Sequence, residues 1–106
     1  MAFYIKQNDT SPSLSATLTD FNGTAINLTS ATARLHMKDL DGTLKIDAAM
    51  TITNADAGII KYDWQSGDTD TVGTYNVEFQ ITYSDSSIET FPNNGYETIV
   101  VVGELN

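Results

Sequence analysis

Apolar and polar residues alternate with a period of two along much of this chain. The clearest example is residues 74–83, in which every second side chain is apolar or aromatic: Tyr75, Val77, Phe79, Ile81 and Tyr83. Successive side chains of a strand point to opposite faces of a sheet, so this run predicts a long strand with one buried face. Shorter runs with the same alternation occupy residues 14–18, 33–38, 44–46, 50–52 and 60–64.

Turn-forming residues separate these runs. Asn22-Gly23 and Asp41-Gly42 tolerate positive φ, and each pair predicts a hairpin turn. The first of these turns is followed by a short apolar run at 26–28, which we expect to form a strand. Further turns are expected at 54–58, 84–86 and 92–95, with a short helical turn within 65–71.

Together the runs and turns predict about seven to nine short strands and no long helix. We expect a single all-β domain over residues 1–106, an antiparallel β-sandwich of immunoglobulin-like type. A closed small barrel is the alternative, because periodicity does not distinguish the two folds. Residues 70–75 (DTVGTY) favour the sandwich, since a tyrosine after such a turn is typical of the corner between its two sheets.

Composition narrows the chemistry. The chain has no cysteine, which excludes disulfides, thiolate metal sites and a cysteine nucleophile. Its 14 acidic and 5 basic residues give a formal charge of −9, and such a field repels nucleic acid and anionic membranes. The N-terminus shows no signal peptide and no apolar run is long enough to span a bilayer, so we expect a free-standing protein made in the cytoplasm.

Two segments are apolar on both faces, residues 3–5 (FYI) and 99–102 (IVVV). A strand of this kind is usually covered on both sides, and a two-layer domain has nothing of its own to cover the outer face. Either the two segments pair at the centre of a sheet, or one of them lies against another protein. The candidate interface residues are Phe3, Tyr4, Ile5, Val100 and Val102.

No catalytic constellation stands out, and we expect neither enzyme activity nor a cofactor. The single histidine, His36, is predicted to lie on the outward face of its strand, and alone it is a poor metal site. Residues 39–42 (DLDG) resemble the start of a calcium loop, but Met50 stands where the closing acidic residue is required. The remaining candidates for calcium are loop aspartates, although aspartate is also an ordinary turn residue: Asp56, Asp68 and Asp70.

Aromatic residues suggest an alternative function. Trp64 is the only tryptophan, and with Tyr62 and Tyr83 it could stack on a sugar ring, as in a small carbohydrate-binding module. A core tryptophan is the more common arrangement in a domain of this size. The sequence therefore favours a structural role for Trp64, with glycan stacking as the alternative.

Residues 3–12 (FYIKQNDTSP) resemble the start of the N-terminal immunoglobulin-like domain of the phage baseplate upper protein family. The resemblance continues through residues 14–20, 22–24, 27–32, 34–38, 73–75 and 89–92. It implies a non-enzymatic structural protein of a bacteriophage virion, such as a tail, baseplate or adaptor subunit assembled in the host cytoplasm. The implied partners are other virion proteins and a second copy of the chain.

Family members usually carry a long C-terminal extension that forms a fibre or a receptor-binding platform, whereas this chain stops at the end of the domain. That difference favours a small adaptor, baseplate or decoration subunit over a receptor platform. A capsid decoration protein is the alternative among virion proteins. The carbohydrate-binding module is the alternative from another class of function.

Overall fold

The computed structural model describes residues 2–93 and 97–105, and these residues form eight β-strands and no helix. The predicted all-β class and the predicted number of strands are confirmed. The strands are β1 (Ala2–Lys6), β2 (Leu14–Thr17), β3 (Thr32–Asp39), β4 (Leu44–Asn54), β5 (Ile59–Tyr62), β6 (Gly73–Thr82), β7 (Ile88–Phe91) and β8 (Glu97–Val102).

The strands form a single sheet that is nearly closed into a barrel, in the order β1-β8-β6-β3-β4-β5-β2. β7 lies off this path and pairs with β6 beyond the end of β8. β4 joins the two halves of the sheet, because its first residues pair with β3 and its last residues pair with β5. The arrangement thus combines features of the predicted sandwich and of the alternative barrel.

One strand pair departs from the expected antiparallel pattern. β1 and β8 are parallel, with Tyr4 opposite Val100 and Lys6 opposite Val102. These strands lie near opposite ends of the chain and are not joined by a hairpin, so nothing in the connectivity requires them to run in opposite directions. The two segments that are apolar on both faces therefore pair with each other, but β1 is an end strand of the sheet and not a central one.

The core follows the predicted alternation. Tyr75, Val77, Phe79 and Ile81 of β6 are buried, and the residues between them lie on the outer face. The facing half of the core comes from β2, β5 and the segments beside them. Its buried apolar residues include Leu14, Leu18, Leu28, Ile60, Tyr62 and Trp64.

The predicted corner tyrosine is present. The Tyr75 hydroxyl donates a hydrogen bond to the carbonyl of Thr71 at 2.6 Å, just before β6 begins. This contact fixes the chain where it passes from β5 to β6. The preceding residues 65–71 form hydrogen-bonded turns and no helix, in contrast to the predicted helical turn.

Both predicted glycine turns are present, with Gly23 at φ 84° and Gly42 at φ 88°. The Asp41-Gly42 turn joins β3 to β4 as expected. Residues 26–28 form no strand, because Ile26 and Leu28 donate backbone hydrogen bonds to Leu18 and Ala55 without continuing a ladder. Of the turn predicted at 92–95, positions 94 and 95 lie outside the described residues.

Within residues 2–93 and 97–105, no helix is long and apolar enough to cross a membrane.

Candidate functional site

The outward side chains of β1 and β8 include an apolar cluster that is bordered by Lys6, which lies opposite Val102. Tyr4, Val100 and Val102 form this cluster, and we call the surface on which they lie the β1–β8 outer face. Tyr4 is 67% exposed and lies directly opposite Val100 in the parallel ladder. Val72, which is 52% exposed, lies close to Gly103 and extends the surface beyond the end of β8. An exposed aromatic ring beside aliphatic side chains is a surface that a protein partner can cover.

The other two candidate interface residues point the opposite way. Ile5 is buried in the core, and Phe3 is partly buried and packs against it. The Phe3 ring lies 6.1 Å from the Trp64 ring, measured between centroids. The apolar residues of β1 therefore lie on two different faces. Phe3 and Ile5 face the core, and Tyr4 lies on the β1–β8 outer face.

Charged residues occupy the same side of the sheet farther from β1. Arg34 Nε donates a hydrogen bond to Asp47 Oδ1 at 2.5 Å, and His36 Nε2 lies 3.1 Å from the same oxygen. The Arg34 guanidinium holds the pKa of the Asp47 carboxyl below its usual range. His36 lies on the outward face, as predicted, and half-buried within this cluster. The outer surface of the sheet thus changes from an apolar cluster of Tyr4, Val100 and Val102 to a charged cluster on β3 and β4.

The three candidate glycan-stacking residues do not form a common site. Trp64 is only 4% exposed, and its Nε1 donates to the carbonyl of Pro12 at 3.0 Å. Tyr62 is also buried and packs edge-on against Trp64, with ring centroids 5.6 Å apart. Tyr83 lies beyond the end of β6 and donates to Glu89 at 2.7 Å, and burial raises its pKa to about 12. Neither the Trp64 nor the Tyr62 ring offers a face to a sugar.

Two of the three candidate calcium ligands accept hydrogen bonds from protein groups, and the third lies in a different turn. Asp68 accepts hydrogen bonds from the Tyr62 hydroxyl and from the backbone N–H of Gln65. Asp70 accepts a hydrogen bond from Lys45, which lowers the pKa of Asp70. Asp56 lies in the turn before β5, whereas Asp68 and Asp70 follow that strand. Among the described residues no group of three or more acidic or histidine side chains is placed to hold a metal ion.

The structure also contains a cleft that the sequence did not predict. It has a volume of about 450 Å³ and lies between β2 and the junction of β1, β7 and β8. Its walls are mainly apolar and include Leu14, Ala16 and Leu18 on one side and Phe3, Phe91 and Ile99 on the other. No local motif marks these residues, because the cleft arises from the incomplete closure of the sheet.

Comparison with known proteins identifies the family. The BppU N-terminal domain, from the phage baseplate upper protein, matches residues 2–100. The chain belongs to this family. The predicted resemblance is therefore confirmed, and membership makes the chain a phage baseplate or tail structural domain, a virion component that contacts other virion proteins.

A solved structure is similar to this chain in fold. The crystal structure of CopC from Methylosinus trichosporium OB3b superposes with a TM-score of 0.58 and 15% sequence identity. The match covers 98% of this chain and 86% of CopC. At this identity the similarity concerns the fold alone. A comparison with curated protein sequences found no match.

Proposed function

We propose that this protein is a non-enzymatic assembly subunit of a phage tail or baseplate, and that it binds a neighbouring virion protein through the β1–β8 outer face. The observation that carries the proposal is the exposed Tyr4 ring beside Val100 and Val102 on paired strands. Strand pairing holds these side chains in a fixed arrangement, so a partner can cover them without ordering a flexible loop.

The expected strength of this contact suits repeated assembly. Taking one apolar side chain from full exposure to full burial contributes roughly 1.5–3 kcal/mol. Val100 and Val102 are already half-buried and Tyr4 is 67% exposed, so covering the three residues gives less than this per residue and forms a contact of modest strength. Copies of a subunit in a symmetric particle multiply such contacts through effective concentration. A small apolar surface can therefore hold the protein in a virion while the isolated protein remains monomeric at low concentration.

The electrostatics support a non-enzymatic role. The carboxyls with lowered pKa values are surface groups, and the first cause of each shift is a hydrogen bond from an adjacent side chain: Arg34 to Asp47, Ser13 to Asp63, Lys45 to Asp70, and Ser87 to Asp85. Such groups stay ionised and accept hydrogen bonds near neutral pH. General acid–base catalysis would instead require a group whose pKa is moved towards neutrality in a pocket.

The proposal predicts incorporation into virions and its loss on mutation of the β1–β8 outer face. Tyr4→Asp and Val100→Asp should fold normally but be depleted from purified particles, because each places an unpaired charge in the contact. Ala49→Asp is the matched control, since Ala49 is an exposed residue on the outer face of β4. Quantitative mass spectrometry of gradient-purified particles, normalised to the major capsid protein, gives the copy number of each variant.

The copy number also decides between the virion roles. A few to a few dozen copies per particle support a tail or baseplate position, whereas hundreds of copies indicate capsid decoration. Absence of the wild-type protein from particles would contradict the virion role. Equal incorporation of Tyr4→Asp, Val100→Asp and Ala49→Asp would contradict the assignment of the β1–β8 outer face.

A further inference from the structure

The apolar cleft beside β2 has the form of a missing strand position. β1 and β2 are the two end strands of the nearly closed sheet. The cleft lies along residues 14–19, and its opposite wall contains Phe91, Pro92 and Thr98. Val77 and Phe79 of β6 also line it. An occupant of this cleft would lie against β2 and cover part of the core.

The hydrogen-bonding pattern of β2 shows which backbone groups face the cleft side. Leu18 donates its N–H to the carbonyl of Gly58 at 2.8 Å, and the antiparallel register continues with Thr17 opposite Ile59 and Ser15 opposite Lys61. Hydrogen-bonded and non-hydrogen-bonded pairs alternate in an antiparallel ladder. The N–H and C=O groups of Ser15 and Thr17 therefore point away from β5. No strand among residues 2–93 and 97–105 pairs with that side of β2.

We propose that this edge of β2 binds an extended segment of a partner protein, which adds a strand to the sheet and inserts alternate apolar side chains into the cleft. An open strand edge supplies a row of donors and acceptors that only another extended backbone can match along its length. The cleft supplies the specificity, since every second side chain of an added strand points towards Leu14, Ala16 and Leu18.

Charge identifies the chemistry of the partner segment. The chain carries a formal charge of −9, and Glu97 is the only charged residue among the described residues that line the cleft. A segment with Lys or Arg at the outward positions between its apolar residues is complementary to this field. A second copy of this chain is disfavoured by the same charge, because two such molecules repel one another.

The open edge of β2 and its cleft are separate from the β1–β8 outer face, because Tyr4, Val100 and Val102 do not line the cleft. That the partner is a virion protein rests on the proposed function, but the presence of the strand-addition site does not. Peptide binding by the isolated protein tests the site, and incorporation into particles tests the virion role. The two can therefore fail independently.

The test uses a synthetic probe, a peptide of about eight residues in which Val and Lys alternate. The control peptide has the same composition with Val and Lys in blocks, so its charge is equal but its period is not two. Amide hydrogen exchange of the intact protein is followed by NMR at each residue. The alternating peptide should slow exchange at Ser15 and Thr17 about tenfold or more at saturation, because their N–H groups become hydrogen-bonded.

Two variants separate the backbone contact from side-chain effects. Thr17→Pro removes the N–H that faces the cleft side while leaving the β2–β5 hydrogen bonds, and proline is tolerated at such edge positions. It should fold and lose peptide binding, whereas Thr17→Val should fold and bind. Equal effects of the two peptides, unchanged exchange at Ser15 and Thr17, or binding by Thr17→Pro equal to that of wild type would overturn the proposal. A dimer in sedimentation experiments that protects these same amides without peptide would also overturn it, in favour of a second copy.

Discussion

Gly58 lies where three segments of the chain meet. Its backbone φ is +68°, and a Cβ atom added there would lie 2.6 Å from the carbonyl oxygen of Leu18 and 2.9 Å from that of Ile26. Gly58 also accepts the backbone hydrogen bond from Leu18 that continues the β2–β5 ladder. The glycine therefore meets two separate requirements, a left-handed conformation and close approach of neighbouring backbone.

We expect replacement of Gly58 by alanine to lower the free energy of unfolding substantially. Both Gly58→Ala and Gly23→Ala place a side chain at positive φ, which costs about 1–2 kcal/mol. Only Gly58→Ala also forces a Cβ against backbone, since nothing lies within 4 Å of the corresponding position at Gly23. We expect Gly58→Ala to lower the free energy of unfolding by about 1–3 kcal/mol more than Gly23→Ala, the range for overpacking. Urea denaturation measures both, and equal losses would show that the close contact has no energetic effect.

Among the strands, the passage from β5 to β6 is held by side chains that bond to backbone. Trp64 donates to Pro12, and Tyr75 donates to Thr71 at the start of β6. Asp68 accepts from both Tyr62 and Gln65, which fixes the turn between these two points. The connection is thereby tied both to the segment before β2 and to the first residues of β6.

The hydrogen bond between Tyr75 and Thr71 predicts that Tyr75→Phe and Tyr4→Phe differ in stability. Tyr75→Phe removes the hydroxyl that bonds to the Thr71 carbonyl and leaves the buried ring in place. We expect this variant to lose about 1–2 kcal/mol of unfolding free energy, the value for one hydrogen bond with a poorly solvated partner. Tyr4→Phe is the matched control and should change stability little, because Tyr4 is largely exposed. Thermal unfolding by circular dichroism distinguishes them, and a neutral Tyr75→Phe would contradict the structural role of the corner.

The sequence predicts those elements whose signal is local. The alternation in residues 74–83 and the glycine turns at 23 and 42 are present because period and positive φ are properties of neighbouring residues. The parallel pairing of β1 with β8 depends on residues almost 100 positions apart, and no local pattern encodes it.

For the same reason, the sequence indicates only part of where the candidate interface and glycan-stacking residues lie in the fold. The apolar residues at 3–5 and 99–102 do lie in strands, but alternation within each strand divides them between the core and the outer surface. Ile5 and Trp64 are core residues because their side chains face the inside of the sheet. The cleft beside β2 depends on how far the sheet closes, which is a property of the whole fold.

At the scale of the whole molecule, the main electrostatic feature is an excess of negative charge. The 14 acidic residues exceed the 5 basic ones, so the folded state carries self-repulsion near neutral pH that is absent when most carboxyls are protonated. Ion pairs oppose this effect locally. Arg34 pairs with Asp47, Lys45 with Asp70, and Lys61 with Asp63. Removing an acidic residue therefore has opposite consequences, depending on whether its carboxylate has a basic neighbour.

The effect of a basic neighbour can be measured by replacing Asp47 and Asp56 in turn. Asp47→Asn and Asp56→Asn each remove one negative charge, but only Asp47 has Arg34 and His36 as neighbours among the described residues. The pKa of Asp47 is lowered from 3.8 in the folded state, so its stabilising contribution is present above pH 3.8 and is lost as the pH falls through the folded-state pKa. Asp47→Asn should therefore be less stable than wild type at neutral pH, and this deficit should disappear well below pH 3.8.

Asp56→Asn should be as stable as wild type or slightly more stable at neutral pH, because it relieves repulsion without breaking an ion pair. Urea denaturation of the three proteins across the acid range measures both effects. A deficit of Asp47→Asn that persists in acid would mean that the side chain acts through packing or neutral hydrogen bonds and not through its charge. If both variants lost the same free energy of unfolding at neutral pH, the contact between Arg34 and Asp47 would stabilise the protein no more than the Asp56 carboxylate does. Added salt should narrow the difference between the variants, since it screens both the ion pair and the repulsion.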